Sequence, residues 1–119
     1  MRSLRIKVTC GAEDAERCNQ AFTVAAAAAA AGADVGLWLT GEAAWFGVHG
    51  RAEEFALPHA TPLADLLATV VELGQVTVCT QCAVRRGITE IDLLPGVRIA
   101  GAATFAEEIL ADGVQALVY

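Results

Sequence analysis

Apolar and polar residues alternate along Leu4-Arg5-Ile6-Lys7-Val8, which gives a short strand with one basic and one apolar face. Thr9-Cys10-Gly11 closes it as a loop. From Glu13 to Ala31 the pattern becomes helical: acidic residues occupy the first turn, where they complement the helix dipole, and Gly32 follows the last. The alanine run Ala25 to Ala31 favours a helix and lets its backbone approach a sheet closely. Asp34 to Leu39 is nearly all apolar and reads as a second strand covered on both faces. Thr40-Gly41-Glu42 opens a short helix through Trp45, and Gly47 to Pro62 reads mostly as surface loop. Thr61 is expected to cap a helix from Pro62 to Leu73, with Pro at its first position, Asp65 in its first turn and Gly74 at its end. Gln75 to Cys79 is a third strand and Thr80 to Arg86 a helical turn or two. Val97 to Ala100 is a fourth strand, Thr104 to Asp112 a helix and Val114 to Val118 a fifth strand.

Strands that alternate with helices imply crossover connections and a mainly parallel sheet. The expected fold is therefore α/β, a three-layer α/β/α arrangement with five strands. At 119 residues the chain has the length of one domain, 1–119.

Composition adds two things to that picture. Hydrophobic residues make up 55% of the chain and the mean hydropathy is +0.49, above the roughly 45–50% usual for soluble domains. The excess points to a subunit interface and so to a homo-oligomer. The net charge of -6, from 14 acidic and 8 basic residues, excludes the basic face that nucleic acids or anionic membranes need. The apolar stretch Ala21 to Leu39 has the length of a membrane span, but Gly32, Asp34 and Gly36 interrupt it. Met1 to Val8 lacks the apolar core of a signal peptide. A cytoplasmic location follows, in which the four cysteines are thiols or metal ligands rather than disulfides.

The chemistry concentrates at Cys79-Thr80-Gln81-Cys82. In parallel sheets, reactive groups gather where strands end and helices begin. Cys79 ends the third strand, so its thiol stands where free amide hydrogens stabilise a thiolate or, equally, a persulfide anion. Cys82 lies on the same helix face and completes a C-x-x-C dithiol. Arg85 and Arg86 add positive charge close by. Cys10 ends the first strand, and reaches the same rim if strands one and three are neighbours. Cys18 reads as a small buried hydrophobe. Zinc is the rival reading: Cys79 and Cys82 supply half of a tetrahedral site, and Cys10 with His49 or His59 would complete it. The phosphate-loop, dinucleotide, nucleophile-elbow and H-E-x-x-H patterns are missing. The adjacent Glu107 and Glu108 read as a solvated helix face.

The segment Val78-Cys79-Thr80-Gln81-Cys82-Ala83-Val84-Arg85-Arg86-Gly87-Ile88 resembles the DsrE/DsrF-like sulfur-relay family, which includes the Dsr and Tus proteins. In that family the active cysteine opens a segment V-C-x-x-A-x-x-R-R-G-[IV]. The opening strand, the alanine-rich helix, the stretch Leu37 to Ala43 and Val97-Arg98-Ile99-Ala100-Gly101 agree with it. The resemblance implies a flavodoxin-like, oligomeric subunit that accepts sulfane sulfur as a persulfide and passes it to partner proteins. It also implies that Cys79 is the persulfide-bearing residue. Cys82 departs from the pattern, standing where sulfur carriers often have alanine.

The leading expectation is a sulfur-relay or sulfurtransferase-like protein with Cys79 as nucleophile and Cys82 as resolving thiol, with Cys10, Arg85 and Arg86 as auxiliary candidates and no cofactor. The alternatives are a thiol–disulfide redox module built on Cys79 and Cys82, and a non-enzymatic subunit holding zinc through Cys10, Cys79 and Cys82.

Overall fold

The computed structural model of the chain describes residues 2–119. Among these, five strands form one sheet: β1 (Ser3–Val8), β2 (Asp34–Leu39), β3 (Gln75–Cys79), β4 (Val97–Ala100) and β5 (Val114–Val118). Their order is β4-β3-β2-β1-β5, and every adjacent pair is parallel. The helices are α1 (Ala15–Ala30), α2 (Leu63–Leu73), α3 (Thr80–Arg85) and α4 (Ala102–Leu110). The result is a three-layer α/β/α sandwich of the flavodoxin-like kind.

Across β1 to β4, one face of the sheet is apolar. Ile6, Val8, Val35, Leu37, Leu39, Val76 and Val78 meet α1 and α2 there. Helix α1 buries Cys18, Ala21, Phe22, Ala25, Ala26 and Ala29 at helical spacing. The alanines leave little between helix and sheet. Helix α2 buries Leu63, Leu67 and Val70 in the same way.

The other face is different in kind. Because side chains alternate along a strand, it carries Arg5 and Lys7 of β1, Gly36 and Trp38 of β2, Thr77 and Cys79 of β3 and Arg98 of β4. Helix α4 covers part of it, with Phe105 edge-on to Trp38 at 5.3 Å between ring centroids. Arg5 lies across Gly36, where an added Cβ would fall 2.7 Å from the Arg5 Cδ. That path carries the Arg5 guanidinium to Asp34, and its Nε to Glu108 of α4 at 3.2 Å. Arg98 donates to the other Glu108 oxygen at 2.6 Å and to Thr77 Oγ1 at 2.7 Å. Trp38 Nε1 donates to Glu108 Oε1 at 3.1 Å. Glu108 is therefore a half-buried junction of charge and not a solvated residue; two of its partners, Arg5 and Trp38, lie far away in sequence.

Several boundaries differ from the sequence reading. A 3-10 turn, Ala12–Asp14, precedes α1. The short helix after β2 is a 3-10 segment, Gly41–Gly47. Thr61 does not cap α2: Pro62 is extended (ψ 132) and is itself the cap position, so Thr61 stands one residue too early. Helix α4 starts at Ala102, directly after the extended Gly101, and Ala111 has already left it. The stretch Gly47 to Pro62 is only partly surface: it buries Gly47 and Ala52, adds a 3-10 turn at Ala52–Glu54, and bridges Val48 to Leu93.

Candidate functional site

Strand β3 ends at Cys79, whose extended backbone (φ -64, ψ 131) turns the chain into α3. The thiol is half-buried at the rim and faces the α4 side of the sheet. Burial pushes its pKa up, but opposing contacts outweigh this: the backbone N–H groups of Cys82 and Gln81, the Cys82 thiol and the charge of Lys7. The balance holds Cys79 below the ordinary value for a thiol.

Cys82 is buried and in contact with Cys79. Its Sγ accepts a hydrogen bond from the Gly41 N–H at 3.2 Å. Gly41 makes this bend with φ +56, and an added Cβ would lie 2.5 Å from the Thr9 carbonyl oxygen. Only glycine fits there without strain. A line of contacts thus runs from Gly41 through Cys82 to Cys79.

The two arginines have separate places. Arg86 Nε pairs with Glu42 Oε2 at 2.8 Å, while its Nη1 donates to the Cys82 carbonyl at 3.1 Å. It ties α3 to the Gly41–Gly47 segment. Arg85 is exposed in the last turn of α3. The cation that acts on Cys79 is Lys7, which the sequence reading passed over. Its signal was there: Lys7 is the basic residue nearest the carboxyl end of β1.

Strands β1 and β3 are not neighbours, since β2 lies between them. The premise that placed Cys10 beside Cys79 therefore fails. Cys10 is buried in the apolar core on the α1 side. Desolvation, with Asp14 and Glu13 nearby, raises its pKa. Cys18 is fully buried in α1, and burial pushes it up to about 12. His49 and His59 are exposed on the far segment. Among the described residues, no three His, Cys, Asp or Glu side chains come together as a metal site. The set Cys10, Cys79 and Cys82 is not assembled.

The family model described as DsrE/DsrF-like matches residues 4–118. The chain belongs to the DsrE/DsrF-like family. Solved structures of the same fold include the YchN protein of E. coli, with a TM-score of 0.81 and 22% identity over 100% of both chains. MTH1491 of Methanobacterium thermoautotrophicum, a protein of unknown function, aligns over 100% of both chains with a TM-score of 0.71 and 9% identity. BT1422 of Bacteroides thetaiotaomicron, also of unknown function, covers 98% of this chain and 94% of its own, with a TM-score of 0.61 and 16% identity. No curated protein matches the chain. Among the described residues, no helix is long and apolar enough to cross a membrane.

Proposed function

We propose that this DsrE/DsrF-like chain carries sulfane sulfur as a persulfide on Cys79. The observation behind this reading is the place of the Cys79 thiol at the rim, where β3 ends and α3 begins, with the Cys82 and Gln81 amides, the Cys82 thiol and Lys7 together holding its pKa below the ordinary value against the effect of burial. The Cys79 thiolate attacks the outer sulfur of a donor R–S–SH. A bond forms from Cys79 Sγ to that sulfur, the donor S–S bond breaks, and R–S⁻ leaves. The products are Cys79–S–SH and a thiolate, and the same amides hold the persulfide anion.

Cys82 gives the persulfide a second exit. Its thiol attacks the Cys79 sulfur, a Cys79–Cys82 disulfide forms, and the outer sulfur leaves with both protons as hydrogen sulfide. A thiol–disulfide module is accordingly the second reading, and the contact between the two sulfurs favours it. The donor and acceptor are proteins or small thiols. The chain acts as an oligomer of itself in the cytoplasm, a view supported by the exposed apolar residues Leu110, Leu117 and Val118.

Intact-protein mass spectrometry after incubation with a persulfide donor tests the proposal. The wild type gains the mass of a sulfur atom and Cys79→Ser gains nothing while remaining folded. Full loading of Cys79→Ser overturns the assignment. Loss of two hydrogens by the wild type moves the redox reading ahead.

A further inference from the structure

We propose that β5 is an interface between two copies of this chain: the outer edges of two β5 strands pair antiparallel about a two-fold axis at Ala116 and join two sheets into one. The inference deepens the oligomeric reading above, on which it rests, and is independent of the chemistry at Cys79.

β5 (Val114–Val118) ends the sheet, and among the described residues no strand pairs with its outer edge. Tyr119 directs both backbone groups to β1: its N–H donates to the Lys7 carbonyl at 2.8 Å and its carbonyl accepts from the Thr9 N–H at 2.9 Å. Backbone groups alternate in direction along a strand, so those of Ala116 and Val118 point away from β1. Val114 shares that direction but turns its N–H to the Ala111 carbonyl at 3.3 Å. The side chains are uncovered as well. Gln115, Ala116, Leu117 and Val118 are all exposed, Leu117 to 41% on the α1 side of the sheet and Val118 to 65% on the α4 side.

An edge of this kind accepts another strand. Val114-Gln115-Ala116-Leu117-Val118 has no charged side chain and no proline, and its register on β1 runs without a bulge. Those are the devices that blunt an edge. The opposite edge has them: β4 is four residues long, follows Pro95-Gly96 directly, carries Arg98 and is half-buried throughout. A β5-to-β4 contact between copies would also be heterologous, whereas β5 against β5 closes on itself. Each chain bears a net charge of -6, so two copies meet at least cost along an uncharged strip.

A two-fold axis at Ala116 sets outward-facing residues level with outward-facing residues. Ala116 exchanges both backbone bonds with its counterpart, as a hydrogen-bonded antiparallel pair does. Each Val118 N–H donates to the Val114 carbonyl of the other copy. That match uses the donors and acceptors the edge presents and leaves the Val114 N–H with Ala111. Val118 then faces Val114 on one side of the joined sheet, and Leu117 faces Gln115 on the other. Apolar surface is covered on both sides with no like charges opposed.

Sedimentation equilibrium of the full chain tests this, together with residue-resolved hydrogen exchange. The wild type is expected to be an oligomer of even number whose Ala116 and Val118 amides exchange slowly, although both point away from β1. Ala116→Glu and Ala116→Lys each set like charges against each other at the axis. Each is expected to halve the wild-type mass with an unchanged circular-dichroism spectrum, and an equimolar mixture of the two restores it, because opposite charges then meet. Ala116→Pro, which removes an outward N–H and spares the β1 ladder, halves the mass as well. A monomeric wild type overturns both this interface and the oligomeric reading. An oligomer whose mass survives in Ala116→Glu and Ala116→Lys, or is not restored by mixing them, overturns the β5 pairing and leaves the oligomeric reading standing. Fast exchange of Ala116 and Val118 in the wild-type oligomer does the same, and that arm decides if the variants fail to fold. Sulfur loading on Cys79 is read separately and stands or falls on its own.

Discussion

The amide of Gly41 donates to the sulfur of Cys82 across 3.2 Å, so a bend after β2 supports a thiol that in turn touches Cys79. Cys79 thus stands between two segments: α3, which follows it directly, and the Gly41–Gly47 segment, which holds the Cys82 thiol beside it.

Gly41→Ala is expected to disturb both at once. The new methyl meets the Thr9 carbonyl in a left-handed bend (φ +56), which costs about 1–3 kcal/mol. Urea unfolding measures that loss. The same variant alkylates Cys79 more slowly at neutral pH, because Cys82 loses its fixed position. Unchanged stability and unchanged alkylation would show that this bend does not support the site.

Cys82→Ala removes the second exit for sulfur. The variant still loads sulfur on Cys79, keeps the persulfide longer than the wild type, and releases no hydrogen sulfide by disulfide formation. Mass spectrometry over time, with a sulfide electrode alongside, reads all three. Sulfide release at the wild-type rate would remove Cys82 from the chemistry.

The thiols separate by pH. Cys79 lies below the ordinary value, whereas desolvation raises Cys10 and takes Cys18 to about 12. Near neutral pH a thiol reagent therefore labels Cys79 first, and equal labelling of Cys10 would contradict this order. Stability follows with opposite signs. The contribution of Cys79, whose folded pKa is lowered, is full above the unfolded value of 9.0 and declines as pH falls through its folded value. That of Cys18, whose folded pKa is raised, is full below 9.0 and is lost as pH rises toward about 12. Urea midpoints across alkaline pH are expected to fall less steeply for Cys18→Ala than for the wild type.

Glu108→Gln takes the charge from the junction of Arg5, Arg98 and Trp38. Arg98 loses its counter-ion beneath α4 and Arg5 keeps only Asp34, at a cost of about 2–3 kcal/mol. Denaturant unfolding reads the loss, and a change below about 0.5 kcal/mol would class the junction with exposed surface pairs.

Local patterns carried much of this protein. The limits of β2, β3, β4 and β5 were legible because each apolar run is bounded by turn residues, and β3 was read as ending on Cys79. The dithiol was legible for the same reason, since Cys79 and Cys82 are neighbours in sequence as in space. Strand order was not legible: nothing local says that β2 separates β1 from β3, and the place of Cys10 went wrong with it. Glu108 was misread because its partners are remote, Arg5 lying 103 residues earlier. Lys7 reaches Cys79 only across an intervening strand.

The register that sets Ser3 level with Val114 pairs the first strand with the last. Such a sheet has its longest-range pairing at one edge, where β5 joins β1, and non-local pairing of this kind folds slowly for its size. As the chain leaves the ribosome, β1 can pair on one side with β2 but must hold its other edge open until β5 emerges. During that interval its unpaired backbone is a template for other strands. The window for misassembly therefore closes only when Val114–Val118 emerges, and a chain interrupted before Val114 would expose that edge permanently.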